Sequence, residues 1–285
     1  MQKSSVAAVR ISKIALSANA DETPIPEETT DLLAMEEPLE IRILYSDDNK
    51  RVQKNISVTM CTPGNDLELA AGFLFTEGII SAKEDILNIH YHDTGKNSGN
   101  IVMVELQPGV SFDAQKLERH FYTSSSCGVC GKSSIAAVKN NFEDRPAYDN
   151  LKIDPSVIIE LPAALRKQQE VFEHTGGLHA SALFSLTGDL LLTREDVGRH
   201  NALDKLIGAS LTAGDLPLNN HVLLLSGRAS FELVQKAAMA GIMIICAVGA
   251  PSSLAVEMAV EMDITLIGFL RNNRFNIYSG EQRIN

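Results

Sequence analysis

Cysteine is scarce in this 285-residue chain, which has four, and only Cys127 and Cys130 stand close together. A closed structural zinc site takes four ligands, and no second cysteine pair is there to complete one, because Cys61 and Cys246 are isolated. Basic charge is also short. Lys and Arg number 25 against 36 Asp and Glu, a net charge of -11, which argues against nucleic acid or an anionic membrane as the main partner. Any anionic ligand must then be held by a local basic pocket. Long apolar runs are missing too: the 242–250 stretch falls far short of a membrane span, and no secretory-type apolar core opens the chain. A cytoplasmic protein is expected. Internal repeats and low-complexity tracts are absent.

What is present begins with Ser124-Ser125-Ser126-Cys127-Gly128-Val129-Cys130-Gly131-Lys132, which concentrates reactive chemistry among small residues. Such residues let a backbone turn tightly and leave thiols accessible. A helix is expected over 133–141, placing both thiols near its positive end beside Lys132, and both effects favour thiolate. Four readings of Cys-x-x-Cys stay open: half of a zinc site, a thioredoxin-like redox pair, a loop without chemistry, and a thiolate that attacks or carries a group. In a reducing compartment an exposed pair points to catalysis or transient redox change more than to a structural disulfide.

Length allows two modest domains with real cores. Residues 1–30, with Pro24 and Pro26 and no sustained period, read as a flexible arm, with 6–16 available for pairing at a sheet edge. Residues 31–120 read as a small α+β domain: strands over 39–45 and 52–60 joined by a turn at 47–50, a helix from Asn65 or Asp66 to Gly78, strands over 86–91 and 101–106, and a short helix near 114–119. Residues 121–285 hold the cysteine loop and a larger α/β domain. Here a helix over 156–173, bent or interrupted at Pro162, precedes strands at 180–186 and 190–193. Helices at 199–211, 230–240 and 252–262 then alternate with strands at 222–225, 243–248 and 265–270, and a last strand covers 275–278. This order predicts a mixed sheet between helices.

Three turns in this domain share a form in which a strand ends, small or basic residues follow, and a helix opens. They are Arg194-Glu195-Asp196-Val197-Gly198-Arg199-His200-Asn201, Ser226-Gly227-Arg228-Ala229-Ser230 and Gly249-Ala250-Pro251-Ser252-Ser253. Helices that follow parallel strands open along one edge, so their N–H groups, with Arg199 and Arg228, suit a phosphate-bearing ligand. Ordinary caps and turns are the plainer account: Ser226 and Ser230 are good caps, and Asp196 can pair with Arg199. Gly177 lies in Thr175-Gly176-Gly177-Leu178-His179, either a close backbone approach to a ligand or a simple turn; His179 and His200 each read equally as satisfied core histidines.

These motifs, together with Glu36-Glu37-Pro38-Leu39 and Ala71-Gly72-Phe73-Leu74-Phe75-Thr76-Glu77-Gly78-Ile79-Ile80, resemble the FdhD-type formate dehydrogenase accessory sulfurtransferases over nearly everything past the first thirty or so residues. The resemblance implies that a cysteine desulfurase passes sulfur to the loop, which delivers it to the molybdenum bis(molybdopterin guanine dinucleotide) cofactor before insertion into formate dehydrogenase. Cys127 matches the persulfide-forming position and Cys130 its companion. The family's cofactor-binding segment falls on Phe269-Leu270-Arg271-Asn272-Asn273-Arg274, where Arg271 and Arg274 would meet phosphate; without the resemblance that segment reads as a solvated hairpin turn. A cytidine deaminase-like three-layer sandwich is also implied. A zinc deaminase needs His-x-Glu and Pro-Cys-x-x-Cys at two helix starts, where this chain has His200-Asn201-Ala202 and Ser226-Gly227-Arg228-Ala229-Ser230, so no catalytic metal of its own is expected. A homodimer is a further expectation, and a thiol-redox or zinc-stabilised nucleotide-binding module remains the alternative.

Overall fold

The computed structural model describes residues 4–15, 26–47, 50–92, 99–110, 151–169 and 175–285. The stretch read as an arm contributes β1 (Val6–Lys13), which pairs antiparallel along its whole length with β2 (Glu27–Ala34). This ribbon is a two-stranded sheet of its own and does not extend an edge of the others. Its polar second strand, Glu27-Glu28-Thr29-Thr30-Asp31, hides the period that would have announced it.

The four-stranded sheet follows from alternation. Leu39, Ile41, Ile43 and Tyr45 are buried along β3 (Glu37–Asp47), which turns back into β4 (Lys50–Cys61). β5 (Ile86–Tyr91) and β6 (Ile101–Leu106) complete the order β4-β3-β6-β5, with β3 parallel to β6. Helix α1 (Asp66–Thr76) packs into the same core. Its start has no side-chain cap: Asn65 is left-handed with φ 59 and makes no cap bond. The Asp66 carboxylate instead accepts from the Gly64 N–H at 3.0 Å and the Tyr91 hydroxyl at 2.9 Å.

In the C-terminal region the strands are β7 (His179–Ser185), β8 (Leu190–Asp196), β9 (His221–Leu225), β10 (Ile244–Ala247), β11 (Thr265–Arg271) and β12 (Arg274–Ser279), in the order β12-β11-β10-β9-β7-β8. Helix α2 (Pro155–Arg166) lies on one face, its Ile158, Leu161 and Leu165 in a cluster with Phe184, Leu224 and Ile267. It opens on an Asp154 cap, with Pro155 in its first turn, runs through Pro162 without interruption and ends at Arg166, short of the 173 expected. Helices α3 (Arg199–Ala213), α4 (Phe231–Met239) and α5 (Ser253–Glu261) contribute to the other cluster, with Leu223, Leu225 and Ile245 of the sheet. The chain is therefore α/β (α+β), with a three-layer helix, sheet, helix sandwich beside a smaller sheet. The helices expected near 114–119 and 133–141 lie outside the described residues.

The two sheets are locked where α1 crosses α3. A methyl group on Gly72 would lie 1.8 Å from the Asp204 carbonyl oxygen, and one on Gly208 would lie 1.9 Å from that of Glu68. Only glycines allow the backbones this close. Beside the crossing, the buried Lys236 ammonium donates to Asp204 Oδ2 at 3.0 Å, Thr76 Oγ1 at 2.9 Å and Glu77 Oε1 at 3.1 Å. One cation of α4 thus holds the end of α1 and the middle of α3. Its attraction to Asp204 and Glu77 outweighs burial and raises its pKa, so it stays charged.

Candidate functional site

Cys127 and Cys130, expected to carry the chemistry, lie outside the described residues. The other two cysteines are described and sealed. Cys61 and Cys246 are 2% and 0% exposed, and burial pushes each thiol up to about 12. Neither can supply thiolate near neutral pH.

The edge anticipated for a phosphate-bearing ligand is assembled by sheet topology. β9, β10 and β11 are parallel, and β8 runs with them because β7 is antiparallel to both β8 and β9. The turns after β8, β9 and β10 therefore meet at the carboxyl ends of the strands. Backbone bonds lace the last two together: Gly249 N–H to Gly227 O at 2.9 Å, Ala229 N–H to Ala250 O at 3.2 Å, and Ser252 N–H to Ala229 O at 3.0 Å. A Cβ on Gly249 would sit 3.0 Å from the Arg228 backbone nitrogen, so the two turns are closely fitted there. Arg228 projects from it, exposed.

The 269–274 segment joins the same edge through the Phe269 N–H, which donates to Gly249 O at 3.0 Å. Phe269 takes φ 54 at a bulge between β11 and β12, and Asn272 and Asn273, both at φ 54, form the two-residue turn that primed hairpins use. Arg271 stacks over the Phe269 ring at 5.7 Å, and Arg271 and Arg274 are both exposed. Leu270 is different: its side chain is buried in the core on the α2 face, so it serves packing.

At the start of α3 the sequence sets charges against the helix dipole. Arg199 and His200 occupy the first turn, which has no acidic residue, although that end is already positive. The expected Asp196–Arg199 pair does not form. Asp196, fully buried, is 2.7 Å from the Lys205 ammonium and accepts from the backbone N–H groups of Thr62 (3.1 Å) and Gly198 (2.8 Å). Arg199 keeps a buried Nε without a hydrogen-bond partner among the described residues. His200 Nε2 lies 3.0 Å from Glu232 Oε2 and 3.3 Å from Ser230 Oγ. The Ser230 hydroxyl therefore points to the histidine and makes no cap bond to its helix. Ser226 Oγ accepts from the Ala180 N–H at 2.8 Å and ties β9 to β7.

His179 opens β7 at the same edge, opposite Asp196 in the register. A Cβ on Gly227 would be 3.2 Å from its Nδ1. Burial chiefly, then the charges of Arg199, His200 and Arg228, hold its pKa below the usual imidazole value. Gly177, two residues earlier, is exposed with ordinary φ and no steric need for glycine; Gly176, at φ 63, is the residue whose conformation requires one. Two participants escaped the sequence reading: Glu232, which holds His200, and Ser181, whose hydroxyl is buried without a partner among the described residues. Strand alternation puts Ser181 on the His179 face, a signal that was available.

The sequence reading also passed over the spacing of His174 and His179, four residues intervening, which zinc-binding histidine pairs use. His174 lies outside the described residues. Arg199 and Arg228 act on His179 with positive charge, which is poor company for a dication. Among the described residues no cluster of three His, Cys, Asp or Glu could hold a metal, and no helix is long and apolar enough to cross a membrane.

The FdhD/NarQ family model matches residues 34–285. The sulfur carrier protein FdhD of Streptomyces avermitilis is 50% identical over 262 residues, covering 89% of each chain. That of Mycobacterium tuberculosis is 47% identical over 259 residues, covering 88% of this chain and 91% of the relative. That of Thermoplasma volcanium is 45% identical over 259 residues, covering 90% of each. Among solved structures, a candidate formate dehydrogenase accessory protein from Desulfotalea psychrophila superposes with a TM-score of 0.70 at 24% identity, covering 98% of this chain and 99% of that one.

Proposed function

This chain belongs to the FdhD/NarQ family, and from that premise we propose that it is a sulfur carrier and accessory protein for formate dehydrogenase, acting as a sulfurtransferase. The observation that carries the reading is the inertness of Cys61 and Cys246, which leaves Cys127 and Cys130 to hold sulfur. A cysteine desulfurase persulfide is the donor. The Cys127 thiolate attacks its outer sulfur, a new S–S bond forms on Cys127, and the desulfurase cysteine leaves as thiolate. Delivery to the molybdenum bis(molybdopterin guanine dinucleotide) cofactor as substrate follows by one of two routes: the Cys130 thiolate attacks the inner sulfur of the Cys127 persulfide, breaking its S–S bond, closing a disulfide and expelling the outer sulfur as hydrosulfide, after which a cellular dithiol reduces the disulfide, or the outer sulfur passes directly to the cofactor and Cys127 leaves as thiolate. A homodimer in the cytoplasm is the working form we infer, and sedimentation showing only monomer at micromolar protein would count against it.

The carboxyl edge of the sheet is where that substrate's guanine dinucleotide phosphates would rest. Helix starts, Arg199 with its buried Nε unbonded among the described residues, and exposed Arg228 offer what phosphate needs, with the 269–274 hairpin alongside. Arg228→Ala is expected to weaken GDP binding by about 1.5 to 3 kcal/mol, the usual worth of an ordered charged hydrogen bond, without altering the fold. Titration calorimetry on the folded variant checks it. Unchanged affinity would remove Arg228 from the site.

A further inference from the structure

Four features of the proposed nucleotide edge do not explain themselves in the free protein. Arg199 adds a cation to the positive end of α3 and keeps a buried Nε unbonded among the described residues. The Ser181 hydroxyl, 1% exposed, likewise has no partner there, and alternation along β7 directs it to the face His179 occupies. Gly227 leaves its Cβ space to the His179 ring, so the imidazole is seated against the turn that carries Arg228. His179 itself sits half-buried among like charges.

Among the described residues, charged groups act on His179 from three elements. Arg199 and His200 come from α3, Arg228 from the turn after β9, and Asp196 from the end of β8. Asp196 is the one carboxylate among them, and it is already spent on Lys205 and on the N–H groups of Thr62 and Gly198. Glu232 of α4 approaches the cluster but holds His200, at 3.0 Å. The free site therefore disfavours a proton on His179. A phosphate group placed between the two arginines reverses the balance, because its charge adjoins the imidazole and the desolvation that penalised the cation is offset by a charged hydrogen bond.

We propose that a nucleotide phosphate seated beside His179, Arg199 and Arg228 draws a proton from solvent onto the His179 imidazole, coupling nucleotide binding at this edge to proton uptake, with the Ser181 hydroxyl as an additional buried donor. The inference rests on the edge being the nucleotide site. Its sign follows from linkage: the bound imidazole holds its proton to higher pH than the free one. Affinity is therefore full below the titration of the free imidazole and falls as pH rises, by up to about tenfold per pH unit, until the bound imidazole has lost its proton. Sulfur delivery would then be tuned to local acidity through substrate affinity.

Calorimetry with GDP and the full chain tests this, run in two buffers of different ionisation enthalpy at several pH values. The proton count is compared between wild type and His179→Gln, which cancels the titration of GDP itself. Wild type is expected to take up more protons than the variant, and its affinity to fall more steeply with pH. Equal counts and equal slopes, with GDP bound by both, overturn the proposal and leave the nucleotide site standing. No GDP binding by wild type at millimolar concentration removes the site and the proposal together. Should His179→Gln not fold, the wild-type ring decides: its NMR pH titration is expected to move to higher pH on GDP saturation, and a titration that does not move refutes the idea.

Discussion

Cys127→Ala is expected to abolish sulfur loading from a desulfurase and cysteine, while Cys130→Ala is expected still to accept sulfur and to turn over poorly. Four thiols compete for the sulfur, and two are disqualified by their surroundings. Cys61 and Cys246 are buried with thiols pushed up to about 12, so at pH 8 on the order of one in ten thousand is thiolate. Loss of Cys127 therefore has no back-up in the core. Cys127 is favoured over Cys130 by the three serines before it, whose hydroxyls can donate to a thiolate or persulfide, and by the family likeness. Peptide mass spectrometry under alkylation that preserves persulfides locates the sulfur. Normal loading of Cys127→Ala with none on Cys130→Ala would reverse the roles, and normal loading of both would end the assignment of the loop as carrier. One equivalent of zinc bound through Cys127 and Cys130 would favour the alternative, a zinc-stabilised module.

Gly72→Ala is expected to destabilise the fold by roughly 3 kcal/mol or more, at the upper end of overpacking costs, and to lower the melting temperature by on the order of 10 °C. The added methyl would meet the Asp204 carbonyl oxygen at 1.8 Å, backbone that cannot rotate away. Relief requires α1 and α3 to separate. Separation pulls Thr76 and Glu77 from Lys236, whose ammonium also holds Asp204, and leaves buried charge poorly compensated. Thermal or denaturant unfolding measures the loss. A melting temperature like that of the wild type would mean that the helices do not touch as described. Gly208→Ala tests the same crossing from the other side, where the clash is with Glu68 at 1.9 Å.

Much of this arrangement was legible beforehand because it is written in local periodicity. The β9-α4-β10-α5-β11 alternation could be read to within a few residues, since each strand is a short apolar run and each helix opens at a small or polar residue. The shared edge followed, because parallel strands put the next helix starts on one side. What escaped was long-range. Asp196 bonds to Thr62, 134 positions away, and Lys236 to Thr76 across 160, partners that no local pattern reveals. Leu270 looked like part of a binding segment because its neighbours do, yet strand alternation turns it into the core. The β1–β2 ribbon was obscured by charge in β2. His200 was legible as a residue but its Glu232 partner was not, since only the fold of α4 against α3 brings them within 3.0 Å.

The contact between Gly72 and Gly208 also sets a timetable. The second glycine follows the first by 136 residues (208 − 72), so during synthesis α1 emerges long before the helix it must fit against. At about 5 to 20 residues per second the wait is roughly ten seconds. Throughout that interval the face of α1 that meets α3 and the Thr76–Glu77 end reserved for Lys236 lack those native partners. A nascent chain of this kind calls for a holdase or slow, late condensation, and truncation products ending before α3 should aggregate even though the four strands of the smaller sheet are already complete.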